Sequence, residues 1–171
     1  SCYCIHMPIH RALPKTAAAV FHTHMPFASA LTRLEDPRIK DIGQTEVGMS
    51  MKVAYDEEYD GPAFTTDEGE RLAKVIGDKG ILFMANHGVT TVGEGVAQAY
   101  DRLYYIERAA QVQIYAMWTG QPLKKLPEKI VQKTKQTYGG GDMPRYDPPP
   151  AQRHFDALKR ILDREGSDYA E

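Results

Sequence analysis

Apolar runs and helix-period stripes alternate along this chain as they do in a mixed α/β protein. Residues 2–13 carry apolar positions at helical spacing, with Pro8 either interrupting the helix or sitting in the first turn of a shorter one. Ala17-Ala18-Ala19-Val20-Phe21 is a continuous apolar run, which predicts a buried strand. Pro26 suits a helix N-terminus. Phe27, Ala30, Leu31 and Leu34 then recur at helical spacing, and that helix should stop before Pro37. Between Val47 and Val53 the apolar residues fall on odd positions, which predicts a half-buried strand. Asp56-Glu57-Glu58, followed by Asp60-Gly61-Pro62, reads as a solvated surface turn. Thr65 and Glu68 supply an N-cap and a capping-box glutamate for a helix through about Ile76, ended near Gly77.

A second strand is expected over residues 80–85, and Gly93 and Gly95 flank the turn into the longest helix, roughly 94–119. Its stripe of Val96, Ala99, Tyr100, Leu103, Ile106, Ala110 and Ile114 should face the core, with Tyr100, Tyr104, Tyr105 and Tyr115 serving core and subunit packing. Gly120 and Pro122 end it. A further helix is expected over 126–138. Gly139-Gly140-Gly141 and Pro148-Pro149-Pro150 make a connector to a last amphipathic segment bearing Phe155, Leu158, Ile161 and Leu162. Gly93-Glu94-Gly95 lacks the remaining glycines of a dinucleotide-binding turn.

Composition narrows the function classes. At 171 residues the chain can bury one substantial core. A net charge of −2 and a pI near 6.3 leave no basic footprint, which argues against a nucleic-acid partner. No apolar stretch approaches the length of a membrane span, and the start lacks the basic-then-apolar pattern of a signal peptide. Two cysteines, Cys2 and Cys4, do not make a disulfide framework and point to a reducing cytoplasm.

The candidate chemistry lies in Phe21-His22-Thr23-His24. Residues two apart on a strand point the same way about 6.5–7 Å apart, so His22 and His24 can share one metal ion. His87 follows the second apolar run, beside Gly88, which allows close backbone approach. Three histidine ligands leave a coordination position open, as catalytic sites do, and imidazole suits several transition metals, so the ligands alone do not choose among Zn²⁺, Mn²⁺ and Co²⁺. Each ring's second nitrogen is expected to meet a carbonyl or carboxylate. His6 and His10 lie four apart and read as a polar helix face.

Val20-Phe21-His22-Thr23-His24-Met25-Pro26-Phe27, then Leu82-Phe83-Met84-Ala85-Asn86-His87-Gly88-Val89, then the long helix holding Ala99 and Glu107, together resemble the class II aldolase/adducin family, which includes fuculose-phosphate and rhamnulose-phosphate aldolases. The resemblance implies a three-layer αβα sandwich around a mainly antiparallel central sheet. It implies Zn²⁺ on His22, His24 and His87, and a homo-oligomer, a tetramer, with active sites between subunits. The implied reaction cleaves a sugar phosphate to dihydroxyacetone phosphate and an aldehyde through a metal-stabilised enediolate. Residues 1–125 would form the metal-binding domain, N-terminally incomplete, and 126–171 a helical extension.

One departure bears on mechanism. Family aldolases carry Ser-Ser-Glu one helix upstream, and its glutamate is the general acid/base. Matching His6 and Pro14 to that helix puts Ser1 on the second serine, a substrate contact, and Cys2 on the glutamate, with Tyr3 there after a one-residue slip. Neither is a carboxylate. Glu46, Tyr55 and Tyr59 are the candidates to move the proton instead. Decarboxylases of the same family create their carbanion by losing CO₂ and need a base less, so a carboxylated substrate is the second reading. A non-catalytic, adducin-like interaction domain is the third. Ribulose-phosphate 4-epimerases share the bond-breaking step.

Overall fold

Four strands, β1 (Ala19–Thr23), β2 (Val53–Asp56), β3 (Ile81–Met84) and β4 (Val89–Gly93), form one sheet in the order β1-β4-β3-β2. The computed structural model describes residues 2–59, 61, 64–140 and 146–170. β1 and β3 each pair antiparallel to β4, and β2 pairs parallel to β3. The helices are α1 (Cys2–Ala12), α2 (Pro26–Leu31), α3 (Gln44–Ser50), α4 (Thr66–Ile76), α5 (Val96–Trp118), α6 (Glu128–Tyr138) and α7 (Pro150–Arg164). Among the described residues no helix is long and apolar enough to cross a membrane.

Strand alternation builds two cores, one on each face of the sheet. Val53, Ile81, Phe83 and Val89 meet Ala28 and Leu31 of α2, Met49 of α3 and Ile106, Ala109, Ala110 and Ile114 of α5. Leu82, Met84 and Val92 meet Ile5 and Ile9 of α1 and Leu72, Ala73 and Ile76 of α4. The result is the expected αβα sandwich. α6 lies against α3 and α7 against α5, where Phe155 packs edge-on to Tyr100 at 5.8 Å and His154 Nδ1 is 2.8 Å from Asp101.

Helix α1 runs through Pro8 rather than starting there. A proline at this position removes the amide that would bond the Cys4 carbonyl. Gly69 of α4 lies against that carbonyl, and a methyl at Gly69 would overlap the Cys4 oxygen and sit 2.7 Å from Pro8 Cγ. Helix and notch thus fit because one partner has no side chain.

Several expectations need correction. Residues 47–50 belong to helix α3, not to a strand, and only Val53 onward is extended. The helix buries the consecutive residues 46–49 against α5 and α6, so the odd-position alternation was coincidental. β1 is half-buried because it is an edge strand, not a fully buried one. α2 ends at Leu31, leaving Leu34 exposed. Thr65 caps α4 without a side-chain bond to the helix, its hydroxyl directed to Asp67 Oδ2 at 3.4 Å, and Glu68 turns to Arg71 rather than back to Thr65. Val96 is exposed at the start of α5, and Gln113 is fully buried in its place lower down. Gln113 Oε1 accepts the Lys40 amide at 2.7 Å and Nε2 donates to the Arg38 carbonyl at 3.1 Å, which fastens the 38–40 segment to α5.

Gly69→Ala should therefore be destabilising by about 1–3 kcal/mol, the usual cost of forced overpacking, despite alanine's better helix propensity. Chemical denaturation followed by circular dichroism would check it. An unchanged or raised midpoint would show that α1 and α4 do not meet as closely as described.

Candidate metal centre

The β1/β4 register sets His22 opposite Thr90, and Thr90 opposite Leu82. Val20 and Leu82 pack on the α1/α4 face, so His22 points to that face as well. His24 follows two residues later, just past the end of β1. His87 comes from the β3–β4 turn, closed by Met84 N–H to Gly88 O at 2.9 Å and His87 N–H to Met84 O at 3.1 Å. Gly88 is required sterically. A methyl there would lie 2.5 Å from His24 Cδ2 and 2.6 Å from the Thr23 carbonyl oxygen.

Nitrogens of the three rings lie within 4.8 Å of one another. His22 Nε2 and His24 Nε2 are 3.1 Å apart. Two nitrogens about 2.0–2.1 Å from one tetrahedral ion stand roughly 3.3 Å from each other, so this pair spans one edge of such a polyhedron. On the far side of the His22 ring, Nδ1 lies 3.2 Å from Thr90 Oγ1, and that hydroxyl donates to Met84 Sδ at 3.4 Å. With its proton committed to sulfur, the hydroxyl accepts from Nδ1–H, which leaves the Nε2 lone pair facing the other histidines. The expectation of a carbonyl or carboxylate on each second nitrogen is thus met differently. At His22 the Nδ1 partner is the Thr90 hydroxyl, beside a backbone hydrogen bond from the same ring to Val89.

Burial, followed by the neighbouring His87 and His24 rings, lowers the His22 pKa to about 4, with a Val89 backbone hydrogen bond opposing. The His87 pKa is lowered too, by burial first and then by His24 and Arg33, while Glu68 acts the other way. His22 and His87 are accordingly held neutral at pH 7, the protonation state in which histidine ligates.

Beyond the histidines lies a polar network that the sequence did not announce. Asp56, expected on a solvated turn, is buried at the end of β2 and accepts both Arg71 Nη1 at 2.6 Å and Nη2 at 2.8 Å. Arg71 also binds Glu68, and these bonds hold the Glu68 carboxyl below its usual range. Tyr59 stands beside this network, its ring 6.0 Å from that of His87 and about half exposed. Asp56, Glu68, Tyr59 and His87 line one small crevice. The only advance signal was an arginine three residues after Glu68, which reads equally well as a helix-surface pair. Glu107, singled out from the long helix, reaches across to accept the Phe27 and Ala28 amides at 3.0 and 2.8 Å and so caps α2 just after His24.

Two other candidates lie elsewhere. Tyr55 pairs with Phe83 in the sheet and packs on the α5 face, opposite to His22, where its hydroxyl accepts the Ile39 amide at 3.0 Å. Burial raises its pKa. Glu46 lies on helix α3 rather than on the sheet, in that same opposite layer, folded back over Gly43 and outside the cluster of possible metal ligands. Ser1 lies outside the described residues.

The family model described as Class II Aldolase and Adducin N-terminal domain matches residues 1–114. An adducin-related protein of Schizosaccharomyces pombe is 30% identical over 175 residues, spanning 98% of this chain and 51% of that protein. The crystal structure of an aldolase II superfamily protein from Pseudomonas syringae superposes with a TM-score of 0.86 at 34% identity, covering 99% of this chain and 65% of that one. An L-fuculose 1-phosphate aldolase from Glaciozyma antarctica shares the fold, with a TM-score of 0.73 at 21% identity over 96% of this chain and 60% of that one. Other relatives are named as aldolase-class, dehydratase, decarboxylase and adducin proteins. The chain spans about half the length of its fission-yeast relative. With the motif order, the αβα layers and the family match in agreement, this chain belongs to the class II aldolase/adducin family.

Proposed function

We propose that this chain is the metal-binding part of a divalent-metal-dependent carbon–carbon lyase, an aldolase of the fuculose-phosphate type acting on a sugar phosphate. The observation that carries the reading is the convergence of His22, His24 and His87, whose nitrogens lie within 4.8 Å of one another. An adducin-like scaffold has no need of such a cluster. Zn²⁺ is the ion proposed, with Mn²⁺ and Co²⁺ as the alternatives. When bound, the ion supplies Lewis acidity for the negative charge that develops on a substrate oxygen as the carbon–carbon bond breaks.

The remaining work falls to this chain's own groups. Thr90 keeps His22 in the tautomer that offers Nε2. Tyr59 is the proton-carrying hydroxyl proposed for the substrate, since Tyr55 and Glu46 occupy the other layer. Arg71 fixes Glu68 as an anion beside His87, bonded and therefore a poor proton acceptor. We assign this chemistry to residues 1–125, with 126–171 as a helical extension. The exposed Tyr105, Tyr115 and Trp118 of α5 suit packing in a homo-oligomer, proposed as a tetramer.

A second reading, decarboxylation of a small carboxylated substrate, is favoured by one feature. Among the described residues no carboxylate joins the histidine cluster. Loss of CO₂ creates the carbanion directly, so such a reaction tolerates that better than aldol cleavage does.

Alanine at His22, His24 or His87 should abolish stoichiometric metal in the purified protein while preserving the circular dichroism spectrum; equal metal in all three variants and the parent would rule out the site. Tyr59→Phe should keep the metal but lower kcat by about 10²–10⁴, the span typical of a lost general acid/base. Full activity in that variant would remove Tyr59 from the mechanism. Product analysis separates the two readings. Aldehyde from L-fuculose 1-phosphate, abolished by chelation and restored by metal, supports the aldolase. CO₂ from a carboxylated substrate with no aldehyde from sugar phosphates selects the decarboxylase.

A further inference from the structure

Helix α2 touches both segments that carry the histidines. Its first residue, Pro26, follows His24 by two positions, and its other end meets the turn bearing His87. There the buried Thr32 accepts the Asn86 amide on its carbonyl at 2.9 Å. Arg33, the next residue, donates Nη1 to the Ser29 carbonyl at 2.6 Å and to Thr32 Oγ1 at 3.1 Å, and Nη2 to the His87 carbonyl at 3.1 Å. Asn86 takes φ 53°, the left-handed conformation that asparagine tolerates in tight turns.

We propose that Arg33 is a positioning residue for the metal centre, its guanidinium anchored on the last turn of α2 and fixing the carbonyl, and through it the ring, of His87. The inference rests on the three-histidine reading above. Its logic is geometric. The Asn86 N–H is held by Thr32 and the His87 C=O by Arg33, so the two residues are gripped at both ends by the consecutive residues that close the C-terminus of α2. With those ends fixed, the direction of the His87 Cα–Cβ bond is fixed as well. Neither bond touches His22 or His24, whose placement comes from β1 and Gly88. Arg33 therefore sets the third ligand against the other two. A planar guanidinium can serve three acceptors at once from one anchored position, whereas an ammonium is a single point charge that cannot span them. Sequence alone gives no hint of this role, because Arg33 reads as an ordinary exposed residue at a helix end.

The test uses Co²⁺ as the probe, because its visible absorption reports coordination geometry independently of turnover. Arg33→Met and Arg33→Lys are purified without metal and titrated with Co²⁺. Groups that orient metal ligands from behind typically carry 10–100-fold of metal affinity, and an exposed one such as Arg33 should fall near the lower end, about tenfold. The expected result is apoproteins with the parent thermal midpoint, Co²⁺ affinity about tenfold weaker in Arg33→Met with a displaced visible band, and a smaller loss in Arg33→Lys. A methionine variant with parental affinity and spectrum overturns the proposal. So does a loss of affinity that merely tracks loss of apoprotein folding across the two variants. Failure of the underlying reading has its own signature: His24→Ala would bind Co²⁺ as well as the parent.

Discussion

Two imidazole nitrogens 3.1 Å apart cannot both present lone pairs to each other; they must share a proton or a cation. A third ring, from a different part of the chain, crowds the same point, and burial keeps His22 and His87 from resolving the conflict by protonation. Much of the architecture around the site serves to hold this arrangement. The antiparallel register of β1 on β4 brings His22 to Thr90 and sets the Gly88 turn beside His24. Glu107 secures the start of α2 immediately after His24, and the end of α2 grips the turn of His87.

The sheet gives the site its sidedness. His22 faces α1 and α4, together with Leu82 and Met84, while Tyr55 and Phe83 face α5. A one-residue difference in strand position thus decides which face of the sheet, and which core, a side chain reaches. The Asp56–Arg71–Glu68 network supports the same end of the sheet from α4, tying the last residue of β2 to the helix that flanks His87. Asp56 is buried and doubly bonded, so it acts as a structural anchor for the crevice beside Tyr59.

The histidine triad was legible because its spacing is a local property: two on one strand face, and a third after an apolar run and before glycine. The long helix and the layer arrangement were legible for related reasons, being strongly periodic or carried by motif order. Failures arose where periodicity was short or a tertiary partner decided the outcome. Four apolar residues at odd positions from Val47 to Val53 straddle a helix and a strand, and only packing against α5 and α6 separates them. Glu68 had a local use as a capping-box residue, but Arg71 offered a charge-assisted bond and won it. Asp56 looked solvated because its partner lies fifteen residues away, and Arg33 looked idle because the acceptor that ties it to the histidines, the His87 carbonyl, is fifty-four residues away.

The central proposal is that the three imidazoles of His22, His24 and His87 hold one ion with a position left open. X-ray absorption at the metal edge of the stoichiometrically loaded protein tests it most directly. The account predicts about three nitrogen scatterers near 2.0–2.1 Å with the outer-shell pattern of imidazole, plus one or two light atoms from solvent. A sulfur shell near 2.3 Å, or a coordination sphere of oxygens without imidazole scattering, would contradict it.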